Sequence, residues 1–212
     1  MPEAFIIAVD GPAASGKGTL SKRLAKQFDL KHLDTGLLYR AVGAQMLTRG
    51  GDLDDDQACA AIAQDLDLTA LDPEFLAQHH IGEAASKVAV HPPVRAALLQ
   101  AQRDFADHPP GAVLDGRDIG TIVCPQAPAK LFITASLDAR AARRHAQAVA
   151  ADPSITMEAI RADLAKRDAR DSGRSNAPLA QANDALLLDT TKMSIDAAFE
   201  SARSFVISKM HS

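Results

Sequence analysis

The chain has 212 residues, of which 47% are apolar, and its formal net charge at pH 7 is -4. That apolar content excludes a disordered chain, and the length suits one α/β domain. The acidic balance argues against sequence-independent binding of nucleic acid, which normally needs a basic surface. Cys59 and Cys124 are far apart and form no CxxC pair, so they indicate neither a zinc site nor a disulfide framework. We therefore expect a reduced, cytoplasmic protein without a signal segment or membrane span, because the apolar run Phe5–Val9 is too short for either.

Short apolar segments alternate with helical patterns along the chain. Phe5–Val9 is typical of a buried parallel strand, and Leu20, Leu24 and Phe28 follow it at helical spacing. Further strands are predicted at 112–114, 130–135 and 186–188, with a short one at 32–33, and helices at 137–151 and from 194 onward. The last helix is expected to bury Ile195, Ala198, Phe199, Ala202, Phe205 and Val206. The stretch 54–107 has no strand pattern and indicates several helices. This order predicts an α/β fold, a parallel sheet flanked by helices on both faces.

A glycine-rich turn joins the first strand to the first helix. Gly11, four further residues and the pair Gly16-Lys17 match the phosphate-binding loop pattern. Glycines let backbone N–H groups converge on a phosphate, and the following helix adds the positive end of its dipole. The predicted ATP-binding residues are Gly11, Pro12, Ala13, Ala14, Ser15, Gly16, Lys17, Gly18 and Thr19.

The residue after Lys17 is Gly18, where the common pattern has a magnesium-binding hydroxyl, and the hydroxyl comes one place later on Thr19. One helical step rotates by about 100°, so Thr19 cannot simply replace that hydroxyl. Three roles stay open for Thr19: a contact to Mg²⁺, to a phosphate oxygen or to a metal-bound water. The Gly-Lys-Gly-Thr form is typical of small nucleotide kinases. The chain has no Asn-Lys-x-Asp guanine motif, which argues against a GTPase switch.

Further stretches complete a resemblance to one family. They are LDTGLLYR (Leu33–Arg40), DGRDIGTIVCP (Asp115–Pro125), RDARDSGR (Arg167–Arg174), and the segments AASKVA and VRAALLQAQR. In this order, over nearly the whole chain, the sequence resembles the bacterial-type cytidylate kinases among the P-loop nucleoside monophosphate kinases. The resemblance implies one three-layer P-loop NTPase domain over 1–212, with an acceptor-binding helical region at about 35–107 and a mobile arginine-rich lid at about 156–178. Family members often carry a longer insertion before AASKVA, so statements about that insertion do not carry over.

The resemblance implies transfer of the γ-phosphate of ATP to CMP or dCMP, with Mg²⁺ as the cofactor. The nucleophile is then a phosphate oxygen whose second pKa is near 6, so no general base is needed and arginines should converge around the lysine. The residues implied as catalytic are Lys17, Arg117, Arg167 and Arg174. Those implied to bind the acceptor nucleotide are Thr35, Arg40, Ser86, Arg95, Arg117, Asp118, Arg167, Asp171 and Arg174.

Base choice is implied to depend on Asp118, which would face the cytosine amino group, with Arg95 and Ser86 at the N3/O2 edge of the base. A carboxylate accepts a hydrogen bond from that amino group but would face the uracil carbonyl unpaired. Adenine also carries an amino donor, so these residues alone do not select cytosine. Asp115, at the end of an apolar strand, is either a Mg²⁺ ligand, directly or through water, or a structural turn residue.

The charged segment 163–174 has two interpretations. Arg167, Arg170 and Arg174 would share one face of a helix that Gly173 bends. The balanced charges also suit an exposed helix with internal ion pairs, and the resemblance favours the lid. The histidines, including His32, are expected to be isolated helix or loop residues.

Two rival functions stay open. A kinase of the same architecture could act on UMP, AMP or shikimate, and a non-catalytic regulator would bind ATP without transferring phosphate. The expected partners are small nucleotides, with no nucleic acid and no membrane, and the expected state is a monomer.

Overall fold

The computed structural model describes residues 4–67, 71–149 and 153–211. Five strands form one sheet in the order β2-β3-β1-β4-β5, and every pairing among them is parallel. The strands are β1 (Phe5–Asp10), β2 (Lys31–Asp34), β3 (Gly111–Gly116), β4 (Ala129–Thr134) and β5 (Leu186–Asp189). The helices are α1 (Lys17–Phe28), α2 (Thr35–Thr48), α3 (Asp56–Gln64), α4 (Pro73–Leu76), α5 (His79–Val88), α6 (Pro92–Asp107), α7 (Leu137–Ala148), α8 (Met157–Ser172) and α9 (Ile195–Met210). A single π-helical turn, the π turn, spans Ile119–Val123.

Helices cover both faces of the sheet because successive side chains of a strand point to opposite sides. Ile7 and Val9 of β1 pack with α1 and α9, whereas Ala8 packs with α6 and the π turn. The central strand is thus buried on both sides, which explains its continuous apolar sequence. The predicted three-layer α/β fold with a parallel sheet is confirmed.

A second apolar cluster lies beside the sheet and joins α2, α3, α5 and α6. Its buried members include Leu38, Val42, Cys59, Val88 and Leu98. No strand occurs between 54 and 107 among the described residues, as expected, and residues 68–70 lie outside them. Both cysteines are buried free thiols.

The structure corrects three expectations about helices. The helix predicted over 137–151 ends at Ala148, and residues 150–152 lie outside the described ranges. Ile195 is 61% exposed because it opens α9, and the buried stripe of that helix begins one turn later at Ala198. Gly173 caps α8 rather than bending it. Arg174 therefore lies beyond the helix and does not share a helical face with Arg167.

No helix within the described ranges is both long and apolar enough to cross a membrane.

Leu38 tests the packing of the helical cluster, because it is fully buried on α2. We expect Leu38→Ala to lower the free energy of unfolding by about 2–5 kcal/mol through lost burial and a cavity, measured by urea denaturation. Leu47→Ala is the matched control on the same helix, since Leu47 is 40% exposed. It should change stability by less than about 0.5 kcal/mol, and equal losses would contradict this packing.

Candidate active site

The phosphate loop, residues 11–16, connects β1 to α1. Gly11 has a φ of +152°, and a Cβ at this position would lie 2.0 Å from the carbonyl oxygen of Ile133, so only glycine fits. Helix α1 begins after Gly16, which provides no side-chain cap, and its first turn contains no acidic residue. The N–H groups at this helix end are therefore suited to an anion.

The carbonyl groups of the loop are held from behind by α7 and by the residue after β5. Arg140 donates to the carbonyl of Ala13 at 3.3 Å. Arg143 and Thr190 donate to the carbonyl of Ser15 at 3.3 and 2.9 Å. Because C=O and N–H point in opposite directions across a trans peptide, the N–H groups of the next residues point away from these donors. The loop thus presents N–H groups on the side open to a phosphate.

Lys17 lies among carboxylates at the ends of two neighbouring strands. Asp34 and Asp115 are partners in the register of β2 and β3. Burial lowers the pKa of Lys17 to about 8 and Arg117 acts in the same direction, whereas Asp115 and Asp34 oppose this shift. Burial also raises the pKa of Asp34, and the charge of Asp115 raises it further. Burial therefore weakens the charged form of both Lys17 and Asp34, although each lies near a group of opposite charge.

Asp115 is held in place by contacts from β2 and α2. One of its carboxylate oxygens lies 2.8 Å from Nε2 of His32, and its backbone carbonyl accepts a hydrogen bond from Thr35 at 2.8 Å. The expectation that His32 is an isolated residue is wrong. The pairing of β2 with β3 places His32 beside a carboxylate that is distant in sequence.

A pocket rich in arginine, called the arginine pocket below, lies between α2, α5, α6, α8 and the segment after β3. Its lining residues are Thr35, Gly36, Tyr39, Ala85, Ser86, Ala89, Arg95, Gly116, Arg117, Asp118, Arg167, Asp171 and Arg174. All the residues predicted to bind the acceptor nucleotide line it, except Arg40. Its four arginines and two aspartates carry a net charge of plus two.

Asp171 lies at the centre of the positive charge, and its side chain is only 2% exposed. It accepts from Arg117 at 2.7 Å and from Arg174 at 2.5 Å, and Arg167 lies 3.9 Å away. Burial alone would raise the pKa of Asp171, but the three arginines together hold that pKa below its usual value. One carboxylate therefore gathers three guanidinium groups that would otherwise repel each other.

The other end of the arginine pocket holds an ion pair between Arg95 and Asp118. The guanidinium carbon of Arg95 lies 5.5 Å from the centre of the Tyr39 ring. Within the described structure, the buried Oγ of Ser86 and the Nε atoms of Arg167 and Arg174 have no hydrogen-bond partner. Buried polar atoms without partners are costly, so these atoms are available to a ligand.

Arg40 lies in an adjoining pocket between α2, α5, α7 and α8. That pocket is lined by Arg40, His79, Gly82, Glu83, Ser86, Arg144, Ile160, Asp163, Leu164, Arg167 and Arg170. Arg40 donates to the carbonyl of Leu76 at 2.7 Å. Because Ser86 and Arg167 line both pockets, the two form adjacent parts of one site.

Helix α8 contacts the phosphate loop as well as the arginine pocket. Arg140 makes two hydrogen bonds to the carboxylate of Asp168, at 3.1 and 2.6 Å. Ile160 and Leu164 form an apolar cluster with Ala13 of the loop. The segment predicted as a lid therefore links the two halves of the site.

The sequence-based prediction missed several residues of the site. They are Asp10, His32, Asp34, Arg140, Arg143, Arg144 and Thr190. Asp10 and Asp34 could have been found, because both end strands at the sheet edge that carries Asp115. Arg140 and Arg143 of α7 carried no such signal, since their contacts to the loop span more than 120 positions of sequence.

Asp171→Asn should lower the free energy of unfolding by about 3 kcal/mol at pH 7, because three arginines lose a buried counterion. The folded pKa of Asp171 is lowered, so its stabilisation is present above the ordinary aspartate pKa of about 3.9. It is lost as the pH falls through the lower, folded pKa. Urea unfolding at a series of pH values should show the gap between wild type and variant closing below about pH 4.

The matched control is Asp138→Asn, which breaks the exposed ion pair of Asp138 with Arg161. It should leave stability nearly unchanged at every pH. A stability gap for Asp171→Asn that does not change with pH would contradict the ionic role of Asp171.

Comparisons with known proteins show the family of this chain. The family model for cytidylate kinase matches residues 7–207. A cytidylate kinase of Caulobacter sp. (strain K31) is 56% identical over 96% of this chain and 94% of its own length. A cytidylate kinase of Azorhizobium caulinodans is 58% identical over 95% of this chain and 98% of its own length.

A likeness of fold extends further. The solved structure of an uncharacterized protein from Eubacterium ventriosum has a TM-score of 0.58 at 15% identity, and the match covers 96% of this chain and 99% of the other. At that identity the likeness concerns the fold alone. The family match over nearly the whole chain, together with the phosphate loop and the arginine pocket, shows that this chain belongs to the cytidylate kinase family.

Proposed function

We propose that the chain transfers the γ-phosphate of ATP to CMP or dCMP, giving ADP and CDP or dCDP. The observation that carries this proposal is the arginine pocket beside the phosphate loop, with its net charge of plus two. A phosphate monoester carries about −1.5 to −2 at pH 7, so an acceptor phosphate matches this excess. Membership of the cytidylate kinase family supports cytidine as the nucleoside.

The transfer needs positioning and positive charge rather than a general base. The acceptor phosphate is largely ionised at neutral pH, and one of its oxygens attacks the γ-phosphorus. A new P–O bond forms while the bond from the γ-phosphorus to the oxygen of ADP breaks. Lys17 stabilises the outer phosphates of ATP, and Arg117, Arg167 and Arg174 hold the acceptor and the transferring group. Thr35 and Arg40 contact the acceptor phosphate from α2.

Recognition of the base falls to polar groups at the other end of the arginine pocket. Asp118 accepts from the cytosine amino group, and Arg95 and Ser86 meet the N3/O2 edge. The unpaired Oγ of Ser86 supports this role, because it faces no protein partner among the described residues. Asp171 contacts the sugar in addition to holding the arginines.

Mg²⁺ is the cofactor we propose, and the available donors fit it. Hard oxygen ligands and retained waters are typical of Mg²⁺ sites. Asp115 and the hydroxyl of Thr19, which is exposed in the first turn of α1, are oxygen donors near Lys17. No group of three or more metal-binding side chains occurs within the described ranges, so few protein ligands would hold the ion. When bound, the ion would neutralise charge on the phosphates.

The two helical parts have separate roles in this proposal. The region 35–107 holds the acceptor, and the lid at 156–178 closes over both nucleotides, which excludes water and prevents ATP hydrolysis. The apolar contacts of α8 with Ala13 of the phosphate loop and the place of Asp171 in the arginine pocket support that role.

A substrate panel with purified protein, ATP and Mg²⁺ tests the proposal. We expect the highest kcat/KM with CMP or dCMP and formation of the diphosphate. Absence of turnover with both would overturn it. Preference for UMP, AMP or shikimate would indicate a related kinase, and ATP binding without any transfer would indicate a regulator.

Lys17→Ala belongs to the same assay, because a kinase needs this charge in the transition state. We expect it to remain folded and to lose at least about 100-fold in kcat. Lys22→Ala, an exposed lysine of the same helix, is the control and should keep full activity.

Asp115→Asn tests the metal site. We expect it to raise the Mg²⁺ concentration for half-maximal rate by about tenfold, because a neutral amide is a weaker ligand for a hard cation. Calorimetric binding of CMP without metal should stay unchanged. Asp107→Asn, an exposed aspartate at the end of α6, is the control. An unchanged Mg²⁺ requirement for Asp115→Asn would make Asp115 a structural residue.

A further inference from the structure

Asp118 occupies an unusual position for a residue that faces a ligand. It is the N-cap of the π turn, and an aspartate there normally accepts hydrogen bonds from the first N–H groups of its own helix. Asp118 makes no such bond. Its carboxylate instead pairs with Arg95 in the arginine pocket. Something else must therefore satisfy the start of the π turn.

Asp10 supplies that missing cap from a different part of the chain. Its two carboxylate oxygens accept hydrogen bonds from the backbone N–H groups of Ile119 and Gly120, both at 2.8 Å. Asp10 ends β1 and is 3% exposed. Both of its oxygens are thus committed to the residues that directly follow Asp118.

The turn fits closely between Asp10 and a second anchor. A Cβ on Gly120 would lie 3.4 Å from Oδ2 of Asp10 and 3.2 Å from Cδ of Lys130. Lys130 is itself fixed, since its ammonium donates to the carbonyl of Pro125 at 2.6 Å and to Asp184 at 2.8 Å. The start of the π turn is therefore held from both sides.

We propose that Asp10 is a positioning residue for base selection, because it caps the π turn in place of Asp118 and so leaves the Asp118 carboxylate to the cytosine. This rests on the proposed function, in which Asp118 reads the base. Without the Asp10 carboxylate, Asp118 turns to the unsatisfied N–H groups of its own turn, as aspartate at an N-cap does. The protein then loses its preference for cytosine over uracil but still transfers the phosphoryl group.

The same residue connects the two halves of the site. Asp10 directly precedes Gly11 of the phosphate loop, and its Cα pairs with that of Gly116 in the sheet register. The Asp10 side chain and the pairing of β1 with β3 therefore fix the distance between the phosphate loop and the segment that contains Asp118.

Asp10→Asn is the main test, since the amide keeps the shape and replaces one acceptor with a donor. The measurements are kcat and KM for CMP, UMP and ATP, with calorimetric binding of CMP and UMP. We expect the ratio of kcat/KM for CMP over UMP to fall by about tenfold or more, mainly through KM for CMP. The KM for ATP should change by less than about twofold, as expected for an effect confined to the base. Asp55→Asn, the same change at the exposed N-cap of α3, where asparagine caps as well as aspartate, should change none of these values.

A double variant separates positioning from general damage. If Asp10 acts through Asp118, then Asp10→Asn combined with Asp118→Ala should show the CMP/UMP ratio of Asp118→Ala alone. The proposal would be overturned if the two substitutions multiplied their effects on the CMP/UMP ratio. An equal rise in KM for ATP and CMP would also overturn it. Failure of the wild type to phosphorylate CMP would instead overturn the proposed function. The wild type thus tests the function, and the variants test the role of Asp10.

Gly120→Ala is a second test of the proposal that leaves Asp10 in place. It decides whether Asp10 positions Asp118 if Asp10→Asn does not fold. The added methyl group would lie 3.2 Å from Cδ of Lys130, a tight contact that Lys130 and the turn relieve by shifting a few tenths of an ångström. The CMP/UMP ratio should fall in the same direction by a smaller factor, in a protein whose melting curve remains cooperative. An unchanged ratio would overturn the proposal.

Discussion

The buried carboxylate of Asp171 is the interaction on which the site depends. Three guanidinium groups within about 4 Å of one point repel each other strongly where water is scarce, and Asp171 offsets that repulsion. Because one negative charge faces three positive ones, the arrangement is held together without being neutralised. The cluster keeps a net positive charge, and we propose that a phosphate group binds to it.

The edge of the sheet explains why the phosphate loop lies beside the arginine pocket. Asp10 ends β1 and Asp34 ends β2, while Asp115 is the second-last residue of β3 and the register partner of Asp34, and the phosphate loop begins directly after Asp10. Carboxyl ends of parallel strands form the usual ligand-binding edge of an open α/β sheet. The three aspartates nevertheless have different tasks: Asp10 caps the π turn, Asp34 caps α2 by accepting from Gly36, and Asp115 contacts His32.

Much of the fold followed from local patterns. The continuous apolar run of β1 and the spacing of Leu20, Leu24 and Phe28 were sufficient to predict strand, loop and helix. The predicted acceptor-binding residues came from the resemblance, and all of them except Arg40 line the arginine pocket. The composition and periodicity alone would have left the segment around Asp171 as an exposed, ion-paired helix.

What the sequence could not reveal depends on long-range contacts. His32 and Asp115 are 83 positions apart, and only the pairing of β2 with β3 joins them. Arg140 reaches the phosphate loop across 127 positions. Asp10 shows what the sequence could and could not reveal. Its place at the end of a strand was visible, but its partners in the π turn were not.

The central claim is that the arginine cluster around Asp171 exists to hold a phosphate, and binding of CMP and cytidine tests it most directly. The two ligands differ only in the phosphate, and one hydrogen bond to a charged group is worth about 1.5–3 kcal/mol. Calorimetry without ATP should therefore show CMP binding at least about 100-fold more tightly than cytidine. Equal affinity for the two ligands would contradict the claim.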